Sequence, residues 1–420
     1  MKILVLGGGV LGVTAAYSLH QRGHKVEVIE RNAATAMECS FANAGQLSYN
    51  HAEPWANPAA LRNGLSWLGK KDAPLLFRLQ ADPRMWLWTL RFVMNCTRPR
   101  VRKNTETMLR ICLYSRLMMH KLIEETKLDF DYAKDGRLFI FENQKTLENQ
   151  VRQSEFQCTL GGQEFERLTP EQCVAREPAL GYHARRIIGG IFDPEDESGD
   201  VHKFTQALAA HLEKQGVVFH YGTKVQRVVQ EKRRVIGVET DKGMMNADNY
   251  VMALGCYSPI FLRQAGISVP IYPLKGYSIS INTKDCKRED APRVSLTHTA
   301  KKLAYSRLGD VLRVGGTAEF AGYDDKVVKH RIDIAKNDTR EIFPKGGDIE
   351  NATEWACLRP MTPDGPPILG RTPVANLFLN TGHGSLGWTQ CAGSATIVAD
   401  VIEGREPEIS LKGMDMGRYL

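Results

Sequence analysis

Lys2-Ile3-Leu4-Val5-Leu6 is a short apolar run, the pattern of a strand covered on both faces. From Val10 to Gln21 the apolar positions change to helical spacing. Leu11, Ala15 and Leu19 share one face with Ala16 beside it, and Gly23 is placed to end the helix. Val26 to Glu30 returns to a strand pattern. Strand, glycine-rich turn, helix and strand together predict the first β-α-β unit of a parallel sheet. Pro54, Pro58, Pro74 and Pro83 divide residues 50–100 into short helices and loops. Residues 104–127 predict one amphipathic helix, Tyr132 to Glu142 a hairpin around Asp135-Gly136, and 145–158 a further helix. Thr205 to Gln215 predicts a helix stopped by Gly216. Val217 to Tyr221 reads as a strand, Val225 to Val238 as strand-turn-strand, and Asn249 to Leu254 as an apolar strand. Strands and turns alternate over 267–320. A helix covers 327–343, a strand 376–380, and a helix rich in small residues 387–403.

No internal repeat and no Gly-, Ser- or Pro-rich linker separates these elements. Two lobes that interleave along the chain therefore fit better than two beads in series. The length of 420 residues suits two lobes or one large domain. The composition, 43% hydrophobic and 25% charged, excludes disordered and collagen-like classes. Lys and Arg exceed Asp and Glu by 55 to 48, a net charge of +7. That excess fits an anionic substrate, a nucleotide cofactor or an acidic lipid surface and does not argue for nucleic acid. The nine cysteines are odd in number and none forms C-x-x-C, so neither a disulfide framework nor a metal site is expected, and a cytoplasmic setting fits. No apolar run is long enough to span a bilayer. Three glycines interrupt the apolar N-terminus, which argues against a signal peptide.

The turn Gly7-Gly8-Gly9-Val10-Leu11-Gly12 holds G-x-G-x-x-G at Gly7, Gly9 and Gly12. The first glycine makes the turn off the strand, the second admits a pyrophosphate, and the third lets helix and strand pack closely. The helix N-terminus then faces the phosphates with free N–H groups. Glu30, at the end of the next strand, suits the adenosine ribose hydroxyls and repels a 2′-phosphate, although Arg31 beside it softens that exclusion. The motif does not by itself separate NAD from FAD. No second such motif marks a separate NADH domain, and no cysteine pair marks a dithiol reductase, so FAD is favoured.

Five further stretches carry a resemblance. They are Cys39-Ser40-Phe41-Ala42-Asn43-Ala44-Gly45-Gln46, Glu53-Pro54-Trp55-Ala56, Tyr272 to Ser278, Leu358-Arg359-Pro360-Met361-Thr362-Pro363-Asp364-Gly365, and Asn380 to Thr389. In this order, over residues 1 to about 410, they resemble the bacterial D-amino-acid dehydrogenases of the FAD-dependent glycine and sarcosine oxidase superfamily. The resemblance implies an α/β (α+β) protein. A Rossmann-like GR2-type FAD-binding domain (1–49, 196–255 and 356–420) would interleave with a substrate-binding domain on a mixed or antiparallel sheet (50–195 and 256–355). It also implies oxidative deamination. The Cα–H of a D-amino acid such as D-alanine passes as hydride to FAD, the imino acid hydrolyses to a 2-keto acid and ammonia, and electrons leave to a quinone or other respiratory acceptor.

By the same resemblance, Ser40, Asn43, Ala44, Gly45, Gln46 and Leu47 wrap the flavin. Val225 gives backbone contacts to adenine, and Ala253, Leu254 and Gly255 bring backbone against the cofactor. The loop Gly382, His383, Gly384, Ser385, Leu386, Gly387, Trp388 and Thr389 opens a helix whose N–H groups would stabilise charge on the reduced ring. His383 is expected to pack the loop, since water can take the ammonium proton. Arg359 is the candidate for holding the substrate carboxylate, because a planar guanidinium binds it bidentately. An ion pair with Asp364 is the competing expectation. Tyr277 would donate a hydrogen bond into the pocket or pack under the flavin. Cys357 has the spacing of a cysteine that holds flavin covalently in sarcosine oxidase, but is expected to be a buried hydrophobe.

Leu296 to Lys302 lacks the acidic pair and tyrosine of the family at this place, which puts the substrate preference in doubt. Tyr305 is a substitute candidate there. Met85 to Met94 is aromatic and apolar nearly all round and precedes Arg98, Arg100, Arg102 and Lys103. Such a pairing suits peripheral contact with an anionic bilayer, on the inner face of the plasma membrane; the alternative is a helix buried between the lobes. Two other functions remain open: an oxidase for glycine, sarcosine or a similar amine that uses O2, and a flavin-binding subunit without turnover.

Overall fold

The opening apolar run forms the centre of a sheet. In the computed structural model, which describes residues 1–67, 73–78, 80–287 and 289–419, strand Lys2–Leu6 lies between two parallel neighbours, Lys25–Ile29 and Asn249–Met252. Val218–His220 extends one side in parallel, Leu377–Thr381 the other, and antiparallel Ile368–Arg371 closes that edge. Side chains alternate across a strand, so the run needs cover on both faces. Ile3 and Val5 pack with helices Val10–Gln21, Val201–Lys214 and Gly387–Glu403. Leu4 and Leu6 pack with helix Ser258–Gln264 and with strands Val225–Glu231 and Arg234–Thr240 of a three-stranded antiparallel sheet.

A second, mainly antiparallel sheet runs in the order Thr353–Met361, Tyr272–Asn282, Val311–Phe320, Leu303–Leu308, Ser295–His298, Arg137–Phe141, Gly189–Asp193, Glu166–Leu168. Leu75–Phe77 joins it beside Val311–Phe320. Helix Lys329–Ile342 covers one face, where Ile279, Ile281, Leu312, Val314, Ile332 and Phe343 form a core. The other face looks toward the carboxyl ends of the parallel strands, the place where open α/β sheets take ligands.

Three elements differ from the sequence expectation. No hairpin forms around Asp135-Gly136. Arg137–Phe141 pairs instead with two distant strands, Ser295–His298 and Gly189–Asp193. Gly136 is needed for close approach: a Cβ there would lie 2.4 Å from the ring of Phe192. The predicted helix 104–127 begins earlier, as Arg98–Thr126, because Pro99 suits a first helical turn. Arg98, Arg100, Arg102 and Lys103 are thereby fixed on helix. Ile111, Tyr114, Met119 and Leu122 of this helix pack into the core beneath the parallel sheet, although the helix falls within residues 50–195. Helix Val201–Lys214 also starts before Thr205, because the Asp200 carboxylate accepts from the His202 and Lys203 N–H groups. Residues 68–72 and 79, within the 50–100 stretch, lie outside the described residues.

Candidate active site

A cavity of about 1570 Å³ separates the two sheets. Pockets for single drug-sized ligands span roughly 300–1,000 Å³, so this one has room for a dinucleotide and a substrate together. Gly7, Gly9, Val10, Leu11, Glu30, Arg31 and Val225 line one part of it; Arg359, Gly276, Ser278 and Lys302 line another. Ser40, Asn43, Ala44, Gly45, Gln46, Ala253, Leu254, Gly255, Gly384, Ser385, Leu386, Gly387 and Trp388 also line it.

The glycine turn at the head of helix Val10–Gln21 is tightly packed. A Cβ on Gly12 would lie 1.8 Å from the Gly7 carbonyl oxygen, so helix and turn touch there. A Cβ on Gly9 would meet only Ser40 Oγ, at 3.7 Å, which leaves space beside the helix N-terminus. Ser40 Oγ accepts from the Val10 N–H at 3.2 Å. Glu30 accepts from the Gly8 N–H at 2.8 Å and from Asn32, and burial raises its carboxyl despite these bonds. Arg31 stacks on Tyr257 and pairs with Glu38. Asn43 Oδ1 accepts from the Gly45 N–H at 2.8 Å, which fixes the turn of the 40–47 stretch. Cradle, acidic ribose partner and cavity volume all suit FAD.

Arg359 lies in the cavity wall. Among the described residues no carboxylate pairs with it, and burial pulls its guanidinium below the usual range. Asp364, the competing partner, is taken by Arg418 at 2.8 Å. The guanidinium lies against Gly276, where a Cβ would come 2.4 Å from Nη2 and 2.5 Å from Cζ. A buried cation without a counter-ion is costly, and an anionic ligand relieves that cost.

The two tyrosines are placed differently from the expectation. Leu274, Gly276 and Ser278 face the cavity, whereas Tyr277 alternates to the core beneath helix Lys329–Ile342 and only borders the cavity. Its hydroxyl donates to Glu319, so that proton is committed elsewhere. Tyr305 is fully buried in the same core, does not line the cavity, and donates to Asp338 Oδ2 at 2.6 Å. Strand parity decides both cases. Gly8, Gly12, Leu47, Gly382 and Thr389 support the wall from behind rather than line it. The Gly8 N–H is held by Glu30, Leu47 is in the core, and Thr389 Oγ1 accepts from the Ser48 N–H.

His383 lines the cavity but hydrogen-bonds through Nε2 to Ser394 Oγ at 2.8 Å, and burial lowers its pKa to about 3. It is neutral at ordinary pH. Cys39 and Cys256 both donate to the Leu358 carbonyl, at 2.9 and 3.2 Å, beside Cys357. The hydrogen bond with Cys39, together with burial, pushes the Cys357 thiol well up. A thiol so raised is a weak nucleophile.

One polar group was not singled out from the sequence. Arg137, His51 and Ser48 join Glu53, Thr297 and Lys302 along the cavity wall. Arg137 donates to Ser48 Oγ at 2.6 Å and to Thr297 Oγ1 at 3.0 Å. Burial pulls Lys302 down and pushes Glu53 up. These residues come from separate strands and loops, so no local spacing announces them. Behind Arg137, burial raises Asp193 to about 6 and Asp196 to about 7, from 3.8. The folded chain therefore keeps protons that the unfolded chain releases, and stability falls as pH rises from about 4 to about 7. Asn at position 196 keeps the acceptor for the Tyr49 N–H and removes the titration. Asp196→Asn should gain about 2 °C or more in Tm on the wild type between pH 5 and pH 8, read by thermal scans at both values.

Residues 2–401 match the FAD dependent oxidoreductase family. The chain is 46% identical over 420 residues to the D-amino acid dehydrogenase of Paramagnetospirillum magneticum, covering 100% of this chain and 99% of the relative. It is 43% identical to D-amino acid dehydrogenase 1 of Mesorhizobium japonicum, covering all of both chains. Among solved structures, the fold is similar to L-proline dehydrogenase from P. horikoshii, with a TM-score of 0.77, 20% identity, and coverage of 100% of this chain and 97% of that one. It is also similar to glycine oxidase from Geobacillus kaustophilus, with a TM-score of 0.74, 21% identity, and coverage of 100% and 99%.

Proposed function

Since this chain belongs to the FAD dependent oxidoreductase family, we propose that it dehydrogenates D-amino acids to 2-keto acids and ammonia and passes the electrons to a quinone or other respiratory acceptor. The observation that carries this reading is Arg359, a guanidinium in the wall of a cofactor-sized cavity with no carboxylate partner among the described residues. The full-length likeness to proteins named D-amino acid dehydrogenase supports it. FAD, when bound, supplies the two-electron acceptor for the substrate hydride. Gly7, Gly9 and Glu30 would hold its nucleotide end, and the loop Gly384–Gly387 with the stretch 40–46 its ring end. Arg359 holds the substrate carboxylate and so orients the Cα–H. The ammonium proton goes to water, because burial holds the His383 pKa near 3, too low for a base toward an ammonium group, and its Nε2 is bonded to Ser394.

Anaerobic titration of the purified yellow protein with D- and L-amino acids tests the proposal. D-amino acids should bleach the flavin and L-enantiomers should not. A flavin that no D-amino acid reduces would end it. Fast reduction of a quinone dye with slow reoxidation in air is expected, whereas rapid peroxide formation would indicate an oxidase. Gly276→Ala should lower kcat/KM by about 10–100-fold with FAD retained, because it displaces Arg359 by a fraction of its length. Steady-state rates on the flavin-loaded variant check this.

Membrane contact has its own support. Helix Pro83–Asn95 buries Met85 and Trp88 and exposes Trp86, Leu87, Leu90, Val93 and Met94. It is thus a surface helix rather than one buried between lobes, and its Trp86, Phe92 and Val93 also line the cavity. Arg98, Arg100, Arg102 and Lys103 stand at the start of the next helix. Aromatic anchors beside cations suit an anionic bilayer surface. Among the described residues, no helix is long and apolar enough to cross a membrane. The protein should sediment with anionic vesicles at low salt and leave them at high salt; a protein that stays in the supernatant throughout refutes this contact.

A further inference from the structure

On the far side of the substrate-lobe sheet, Glu142, His183 and His298 bring one ligand atom each to within 4.8 Å of one another. We propose that these three residues bind a divalent transition-metal ion, with zinc as the reference metal. The site stands apart from the flavin cavity, and the inference is independent of the function proposed above.

His183 Nε2 lies 2.8 Å from Glu142 Oε1, and His298 Nε2 lies 3.2 Å from the same oxygen. Ligand atoms of a tetrahedral zinc site stand about 3.4 Å apart, given metal–ligand bonds of about 2.0–2.2 Å. The second nitrogen of His298 carries the decisive observation. Nδ1 faces both oxygens of Asp338, each at 3.0 Å. A neutral imidazole has one N–H and one lone pair, yet this ring points both nitrogens at carboxylates, which are acceptors when ionised. If Nδ1–H donates to Asp338, the Nε2 lone pair is aimed at Glu142, and a cation between them resolves the conflict. A carboxylate behind a histidine is the usual outer partner of a metal ligand, fixing the tautomer and raising basicity. Asp338 is itself held by the Tyr305 hydroxyl at 2.6 Å, which gives that buried tyrosine a supporting place here.

The surroundings suit this donor set. His183 is buried, and its Nε2 faces Glu142 Oε1. Arg186 stands 3.5 Å from the other Glu142 oxygen, is half exposed, and also pairs with Glu341, so it can withdraw. Two imidazoles and one carboxylate favour zinc-like ions over calcium or magnesium. The two histidines are buried, whereas the Glu142 side keeps some exposure and offers an entry path. An ion there joins the end of strand Arg137–Phe141, strand Ser295–His298 and the turn carrying His183, with helix Lys329–Ile342 attached through Asp338. Thr297, next to His298, faces the cavity and meets Arg137, so the clip stands directly behind that wall.

The flavin-loaded protein, stripped with EDTA, should be titrated with Zn²⁺ by calorimetry and with Co²⁺ by absorption. One equivalent should bind, Tm should rise with zinc, and cobalt should show a spectrum of nitrogen and oxygen ligation. Asp338→Asn should weaken zinc by about 10–100-fold, and His298→Ala should abolish the site. Absence of zinc binding at micromolar concentration would overturn the proposal. A thiolate-to-cobalt charge-transfer band would move the metal to the cysteines and overturn it equally. The wild-type spectrum decides even where a variant fails to fold.

Discussion

Arg359→Leu should lower kcat/KM for D-amino acids by about 10²–10⁴-fold while the purified variant stays yellow. A hydrogen bond to a charged group contributes about 1.5–3 kcal/mol, and a bidentate pair makes two of them. The loss should appear in KM and kcat together, since the proposed carboxylate contact would both bind the substrate and aim its Cα–H. Leucine also removes the unpaired charge from the wall, so the variant should be no less stable than the wild type. Stopped-flow reduction with D-alanine, beside the flavin-to-protein absorbance ratio, measures both parts. A variant that turns over like the wild type with full flavin would remove Arg359 from the substrate site.

Gly12→Ala should yield a colourless protein. The added Cβ would sit 1.8 Å from the Gly7 carbonyl oxygen, and both atoms belong to backbone that cannot rotate away. Helix Val10–Gln21 must then move off the strand and carry its N–H groups away from the pyrophosphate. A fall in FAD affinity of about 10²-fold or more is expected, roughly 2.7 kcal/mol. Gly23→Ala is the control. Nothing lies within 4 Å of its Cβ, but its φ of +80° strains an L-residue, so it should cost about 1 kcal/mol of stability and leave the flavin in place. Equal flavin content in the Gly12 variant and the wild type, after dialysis against buffer without FAD, would contradict the assigned close contact.

The nucleotide half was legible because its rules are local. The apolar run at Lys2–Leu6, the glycine spacing and the acidic end of the second strand all act within thirty residues of sequence, and the structure has the corresponding elements at those positions. Arg359 was singled out through its motif, and it lies in the cavity wall. What the motif did not carry was the face each side chain takes. Tyr277 was a candidate through its motif and Tyr305 as a substitute for a missing family tyrosine, yet strand parity turns both toward helix Lys329–Ile342. The bulge between Gly276 and Tyr277 is set by pairing with Val311–Phe320, which no local pattern encodes. Arg137 was hidden because Asp135-Gly136 gives a turn signal, and the neighbours that replace the hairpin lie more than fifty residues away. The clusters around Glu142 and around Cys357 escaped for the same reason: each is assembled from segments that meet only in the folded chain.

The parallel sheet also imposes an order on biogenesis. Lys2–Leu6 leaves the ribosome first, yet its partner Asn249–Met252, and then Leu377–Thr381 beyond that, emerge much later. At about 5–20 residues per second, the last of these strands follows the first by roughly 20–75 seconds. Through that interval the leading strand has only Lys25–Ile29 beside it, and its other edge stays open. Flavin loading is therefore a post-translational event, and a nascent chain stalled before Leu377 lacks a finished dinucleotide fold however much FAD the cell contains.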